Sequence, residues 1–185
     1  EMCIRDRYKA TQNGFVQPYA DSPMDDEQVG EEVYISMVNK AEKYCWFITP
    51  YLIITDEMTH ALCLAAKRGI DVRIITPGIP DKKMIYSVTR SFYHGLVKNG
   101  VRIYEWTPGF CHAKMSVADD CMATCGTINL DYRSLYHHFE NGCFMADCQA
   151  VLDIRNDLAA TMDECREVTE QYSTGRSAYL RLGQL

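Results

Sequence analysis

The 185-residue sequence predicts an α/β domain, a mixed β-sheet sandwiched between helices. Three observations point there. Strand-type and helix-type periodicities alternate along the chain, the series ends in a β-hairpin, and 47% hydrophobic with 24% charged residues suits one compact core without low-complexity sequence. Phe15 to Tyr19 reads as an edge strand, and the turn-rich Ala20 to Asp26 leads into a helix over Val29 to Glu42 with Val33, Met37 and Ala41 on one stripe. Tyr44 to Ile48 is a strand, Glu57 to Lys67 a helix closed by Gly69, and Ile70 to Ile75 a strand. Asp81 is the expected cap of a helix reaching Lys98, with Met84, Val88, Phe92 and Leu96 as its apolar row. Val101 to Glu105 returns as strand. After the hairpin come a strand, Gly142 to Met145, and a closing helix, Gln149 to Cys165, carrying Leu152, Ile154, Leu158 and Met162. Strands that alternate with helices and finish in a hairpin give a sheet covered on both faces.

The hairpin carries the chemistry. Cys111 to Val117 is rich in small and β-compatible residues, Asp119-Asp120 is a two-residue turn signal, and Cys121 to Ile128 reads as the returning strand. Side chains alternate faces along a strand, so His112 and Lys114 project together. A turn closing between Ala118 and Cys121 sets Thr127 opposite His112 and Cys125 opposite Lys114, with Asn129 in the parity of Thr127. An imidazole, an ammonium, a hydroxyl and a carboxamide then crowd one face, which suits reaction at a phosphate. The imidazole attacks phosphorus or protonates a departing alcohol, while Lys114 and the Asn129 amide stabilise charge on the non-bridging oxygens. This chemistry calls for no metal and no cofactor. Asp119 falls at the hairpin tip, where a carboxylate either caps backbone amides or acts in the chemistry.

His112, Lys114 and Asp119 fit H-x-K-x-x-x-x-D, and Gly126-Thr127-Ile128-Asn129 follows at a fixed offset. This pattern resembles that of the phospholipase D superfamily. The stretches Gly14 to Pro23, Ile48 to Ile54, Ala65 to Ile75, Ile79 to Lys83, Tyr104 to Phe110 and Gly126 to Ser134 are similar to the bacterial cardiolipin synthase family. The resemblance implies an α/β/α fold, one of two pseudo-symmetric halves, and a phosphatidyl transfer in which a histidine holds the phosphatidyl group covalently and a second phosphatidylglycerol accepts it. It implies catalytic roles for His112, Lys114, Asp119, Asn129 and Glu140, Glu140 orienting an active-site imidazole unless it is only a strand-end surface residue. Thr127 stands where many members have Ser and keeps the hydroxyl. Arg133 is a candidate headgroup-phosphate ligand, or the partner of Asp131 in a local ion pair. Tyr51, Arg90 and Phe110 lie in family-like loops, as lipid-site or packing residues.

Superfamily enzymes of this type face two motifs across one site, and this chain has one. None of His60, His94, His137 and His138 begins an H-x-K. The expectation is a C-terminal half whose partner is the missing N-terminal half of the same chain, with a homodimer as the alternative. The chain opens without Met, and residues 1–13 read as a non-native or linker lead, 14–165 as the phospholipase D-like domain and 166–185 as a C-terminal tail. No run is apolar enough for a membrane span, so a cell-membrane location requires an anchor upstream.

The nine cysteines include no C-x-x-C, so Cys121, Cys125 and Cys143 are expected as small buried residues rather than disulfide or zinc ligands. Net charge is -6, but unevenly spread: Lys67 to Tyr104 holds eight Lys or Arg against two Asp, whereas Gly14 to Ala66 holds two Lys against nine acids. Such a band suits phosphatidylglycerol headgroups and an anionic membrane surface, unless its members are solvated helix faces. The acidic total disfavours nucleic acid.

Overall fold

The computed structural model describes residues 13–174. Its centre is an eight-stranded mixed sheet. The strands are β1 (Phe15–Asp21), β2 (Tyr44–Ile48), β4 (Asp71–Pro77), β5 (Arg102–Trp106), β6 (Met115–Ala118), β7 (Met122–Gly126), β9 (Glu140–Ala146) and β10 (Cys165–Glu167), in the spatial order β1-β9-β7-β6-β2-β4-β5-β10. Strands β2, β4 and β5 run parallel, and the remaining pairs are antiparallel. A two-stranded ribbon pairs β3 (Leu52–Ile53) with β8 (Leu130–Asp131). The helices are α1 (Val29–Lys40), α2 (Asp56–Lys67), α3 (Lys83–Val97), α4 (Tyr132–Tyr136), α5 (Gln149–Asp163) and α6 (Thr169–Ser173).

Period-two alternation sorts the central strands into two cores. Cys45, Phe47, Val72, Ile74 and Ile103 face one way, where they meet Met37 and Val38 of α1, Met58 and Leu62 of α2, Tyr93 and Leu96 of α3 and Tyr172 of α6. Tyr44, Trp46, Ile48, Ile75 and Tyr104 face the other, against Val151, Leu158 and Met162 of α5. The α/β/α sandwich expected from the sequence is therefore observed.

Details of the expectation change. Asp81 does not cap α3: the N-cap is Lys82, without a side-chain cap bond, and the Asp81 carboxylate instead accepts from Tyr51 Oη at 2.7 Å. Nor does the row Met84, Val88, Phe92 and Leu96 face inward as a unit, since Met84 is 77% exposed. The buried face of α3 is Thr89, Tyr93, Leu96 and Val97. Its two hydroxyls are matched inside: the Leu52 amide donates to Thr89 Oγ1, and Tyr93 Oη lies 2.6 Å from Thr76 Oγ1. The domain also continues past residue 165, because β10 pairs with β5 and Val168 and Tyr172 are buried. The proposed lead, apart from Asn13, and residues 175–185 of the proposed tail lie outside the described residues.

Among the cysteines, Cys45 and Cys63 are buried, whereas Cys125 is exposed and Cys121 and Cys143 are half-buried. The four arginines of the basic band are committed. Arg73 pairs with Asp71, Arg90 with Glu105 and Arg102 with Glu167, while Arg68 donates to the carbonyls of Val38, Asn39 and Ala41.

Candidate active site

The β6–β7 hairpin turns at Asp119 and Asp120, both in the left-handed region with φ of 53° and 60°, and the Cys121 amide closes the turn on Ala118 O at 3.1 Å. The expected register is nevertheless off by one. Ala118 pairs with Met122, and Met115 with Cys125, because Cys121 is an extra residue whose carbonyl is taken by the Asp147 amide beyond β9. Consequently Gly126, not Cys125, meets Lys114, its amide donating to Lys114 O at 3.3 Å. Gly126 is needed there. A Cβ at this position would collide with Asn141 O and Gly142 Cα on β9.

His112 and Lys114 precede β6 in an extended, unladdered segment, yet their side chains meet as alternation requires. Lys114 Nζ lies 2.9 Å from His112 Nδ1 and donates to His112 O at 2.6 Å. Desolvation, then the Lys114 charge, pulls the His112 pKa below its ordinary 6.5, with Lys82 adding to this and Asp81 opposing it. The ring is therefore neutral near pH 7. Desolvation also lowers the Lys114 pKa, opposed by the fields of Glu140, Cys111 and Asp131. Tyr51 stands edge-on to the imidazole with ring centroids 6.4 Å apart, and Phe110 lies tilted on it at 5.8 Å.

The returning segment is clamped on both sides of Asn129. Tyr34 Oη donates to Ile128 O at 2.9 Å, and the Leu130 amide donates to Thr49 Oγ1 at 3.0 Å. Asn129 Nδ2 donates to Ser134 Oγ at 3.0 Å, Ser134 Oγ donates to Glu140 Oε1 at 2.9 Å, and Thr127 Oγ1 donates to the other Glu140 oxygen. Ser134 itself is fixed because Asp131 caps α4 through the Ser134 amide. Beside these groups is a cavity of about 530 Å³ whose walls include Tyr51, Ile53, Lys82, Asn129, Arg133 and Glu140.

The structure thus gathers His112 and Lys114 in one contact and Asn129, Thr127 and Glu140 in a second, adjoining one, with Tyr51 touching both regions. Asp119 is elsewhere. Its carboxylate accepts from the amides of Glu42, Lys43 and Tyr44 at 2.7, 2.9 and 2.9 Å, a backbone clip between the hairpin tip and the α1–β2 loop. The imidazole beside Glu140 in this chain is His138, at 3.6 Å, rather than His112. Arg133 lines the cavity and contacts His138 Nε2 at 3.3 Å, while Asp131 is engaged as the α4 cap. Arg90 is drawn off to the fully buried Glu105. The sequence reading missed Ser134 and His138 as members of the site, and reached Lys82 only through the basic band. Nothing periodic marks them, although Ser134 closes the stretch that carried the family resemblance. Among the described residues no group of three His, Cys, Asp or Glu is placed to hold a metal.

A layered sheet that presents H-x-K beside a clamped G-T-x-N is the architecture of the phospholipase D superfamily. Solved structures agree: a phospholipase D family member, Nuc from Salmonella typhimurium, superposes with a TM-score of 0.70 at 15% identity, over 84% of this chain and 98% of that one. Residues 34–162 match the family described as cardiolipin synthase, PLD-like domain. Over 170 residues the chain is 32% identical to a cardiolipin synthase of Halalkalibacterium halodurans, covering 92% of this chain and 34% of that protein. An uncharacterized protein of Streptococcus mutans is 54% identical over 157 residues, 85% of this chain and 34% of its own length. This chain belongs to the phospholipase D-like domain family of the cardiolipin synthases. It spans about a third of the length of these two relatives.

Proposed function

We propose that this domain is the C-terminal half of a phosphatidyltransferase that joins two phosphatidylglycerol molecules into cardiolipin. The observation that carries the reading is an imidazole held against an ammonium, next to a cavity whose wall combines Asn129, Arg133 and Lys82 with the aromatic Tyr51. A histidine nitrogen forms a bond to phosphorus as the bond from phosphorus to the glycerol oxygen breaks. Glycerol departs with a proton from the second histidine. The headgroup hydroxyl of another phosphatidylglycerol then attacks the phosphohistidine, gives its proton to that second histidine, and releases the first. By its place downstream, His112 is the acid–base partner, and its lowered pKa makes its protonated form a readier donor to the departing glycerol in the first step. Lys114 and Arg133 meet the phosphate oxygens, Thr127 and Glu140 hold the wall of the site, and Asp119 acts through the hairpin it clips. The anionic bilayer supplies the substrate, and the membrane anchor is placed in the upstream half.

A second reading has its own support. The solved family member above is matched across 98% of its length, so one such domain is all of that chain. Two copies of this chain would then share a site, His112 of each taking both roles, as a phospholipase D-type phosphodiesterase or a nuclease. The test is product analysis with phosphatidylglycerol vesicles and with plasmid DNA, on the full-length enzyme and on this chain, alongside size-exclusion chromatography. Cardiolipin and glycerol from the full-length enzyme support the transferase. Phosphatidic acid alone, or nicked DNA from a dimer of this chain, overturns it in favour of the second reading. An inactive monomer of this chain beside an active full-length enzyme fits the half-domain assignment.

A further inference from the structure

We infer that Ser134 is a positioning residue that fixes which end of the Asn129 carboxamide faces the phosphate-binding cavity. The inference rests on the reading that Asn129 meets a phosphate there, and it deepens that reading by adding a residue the motif does not contain.

The hydrogens available to these groups decide the orientation. A carboxylate only accepts, and a serine hydroxyl has one hydrogen to give. Glu140 takes that hydrogen at Oε1 and takes the Thr127 hydroxyl at Oε2. Ser134 Oγ therefore has only lone pairs left for Asn129, and the partner it meets 3.0 Å away must be the NH2 end of the amide. Turning the amide over would set two acceptors against each other inside the protein. The orientation is kept even though it leaves Asn129 Oδ1 buried with no partner among the described residues. Polarity thus runs one way through the chain Asn129 to Ser134 to Glu140, with Thr127 entering from the other side.

The hydroxyl cannot drift from this position. Ser134 is 4% exposed, and its amide is held at 2.8 Å by Asp131 at the start of α4. Glu140 opens β9, Thr127 and Asn129 share the link from β7 to β8, and Ser134 lies in α4, so one hydroxyl–carboxylate pair registers three segments around the cavity. The second Nδ2 hydrogen of Asn129 is left over as the donor for a phosphate oxygen, at an angle that Ser134 sets.

The experiment uses this chain with 15N-labelled asparagine and assigns the Asn129 side-chain amide by its loss in Asn129→Asp. In the wild type one Nδ2 hydrogen is expected to exchange slowly with solvent. Ser134→Ala removes that protection and weakens inorganic phosphate binding, followed by 31P NMR, by roughly tenfold, the value of about one hydrogen bond to a charged group. Ser134→Thr keeps the hydroxyl and restores both. Glu140→Ala gives the decisive contrast. With no carboxylate to receive it, the Ser134 hydrogen turns to the unpartnered Asn129 Oδ1, and the Nδ2 bond to Ser134 is given up. Protection is lost although Ser134 is intact, a pattern that a purely structural serine would not produce. An Asn129 amide without a slow hydrogen in the wild type, or one still protected in Ser134→Ala, overturns the inference. Absence of phosphate binding by the wild type counts instead against the phosphodiester reading, since the exchange measurements need no ligand.

Discussion

At the scale of single residues, the contact between His112 and Lys114 governs behaviour. Both desolvation and the ammonium hold the imidazole pKa below 6.5, so removing the ammonium must raise it. An NMR titration should place the His112 midpoint below the ordinary value and move it upward in Lys114→Ala. The sign for turnover follows: the imidazolium that gives its proton to glycerol is lost as pH rises through the lowered pKa. The alkaline limb of activity in the full-length enzyme therefore begins below pH 6.5 and shifts toward neutrality in that variant. His112→Ala should remove turnover altogether, with Lys114→Ala nearly as severe, and a His112 variant retaining more than about a tenth of the activity would defeat the assignment. This pair was legible in the sequence because side-chain alternation survives in an extended segment even where no ladder forms. Ser134 was not legible as a site residue, because a side-chain hydrogen bond across five or six positions leaves no periodic trace.

Elements show where pattern reading succeeds and where it slips. Strand β2 was readable to the residue because its five positions alternate between two cores, and a shift would expose one of them. The hairpin register was missed by one since nothing local in Cys121 announces that its carbonyl belongs to Asp147. The inward face of α3 was misread for a related reason. Thr89 and Tyr93 look polar in sequence but have buried partners for their hydroxyls. The clip at Asp119 is an element-scale feature too. Asp119→Ala loses three amide partners and puts a β-carbon without local hydrogen bonding at φ 53°, so chemical denaturation should report a loss of about 1–2 kcal/mol. The Lys114–His112 contact, several residues away, should persist in its NMR titration.

For the whole molecule, the layered architecture was foreseeable from alternation, but its extent was not. The last strand is three residues, Cys165, Arg166 and Glu167, with no apolar rhythm, and it enters the sheet through Arg102–Glu167 and Arg166–Glu105 pairs. Glu105 is fully buried between two guanidinium groups, so Glu105→Ala should cost about 3 kcal/mol by leaving them without an anion. Truncation after Met162 should abolish cooperative unfolding in calorimetry, because Tyr172 and Val168 would no longer cover Tyr93 and Ile103. The spatial order of the strands carries one more consequence. Strands β1 and β10 occupy opposite margins of the sheet, seven strand spacings apart, or roughly 34 Å. Fluorophores at Val16 of β1 and Arg166 of β10 would form a ruler for integrity of the whole sheet, and a permutant joining the two margins would need a tether long enough to cross an entire face.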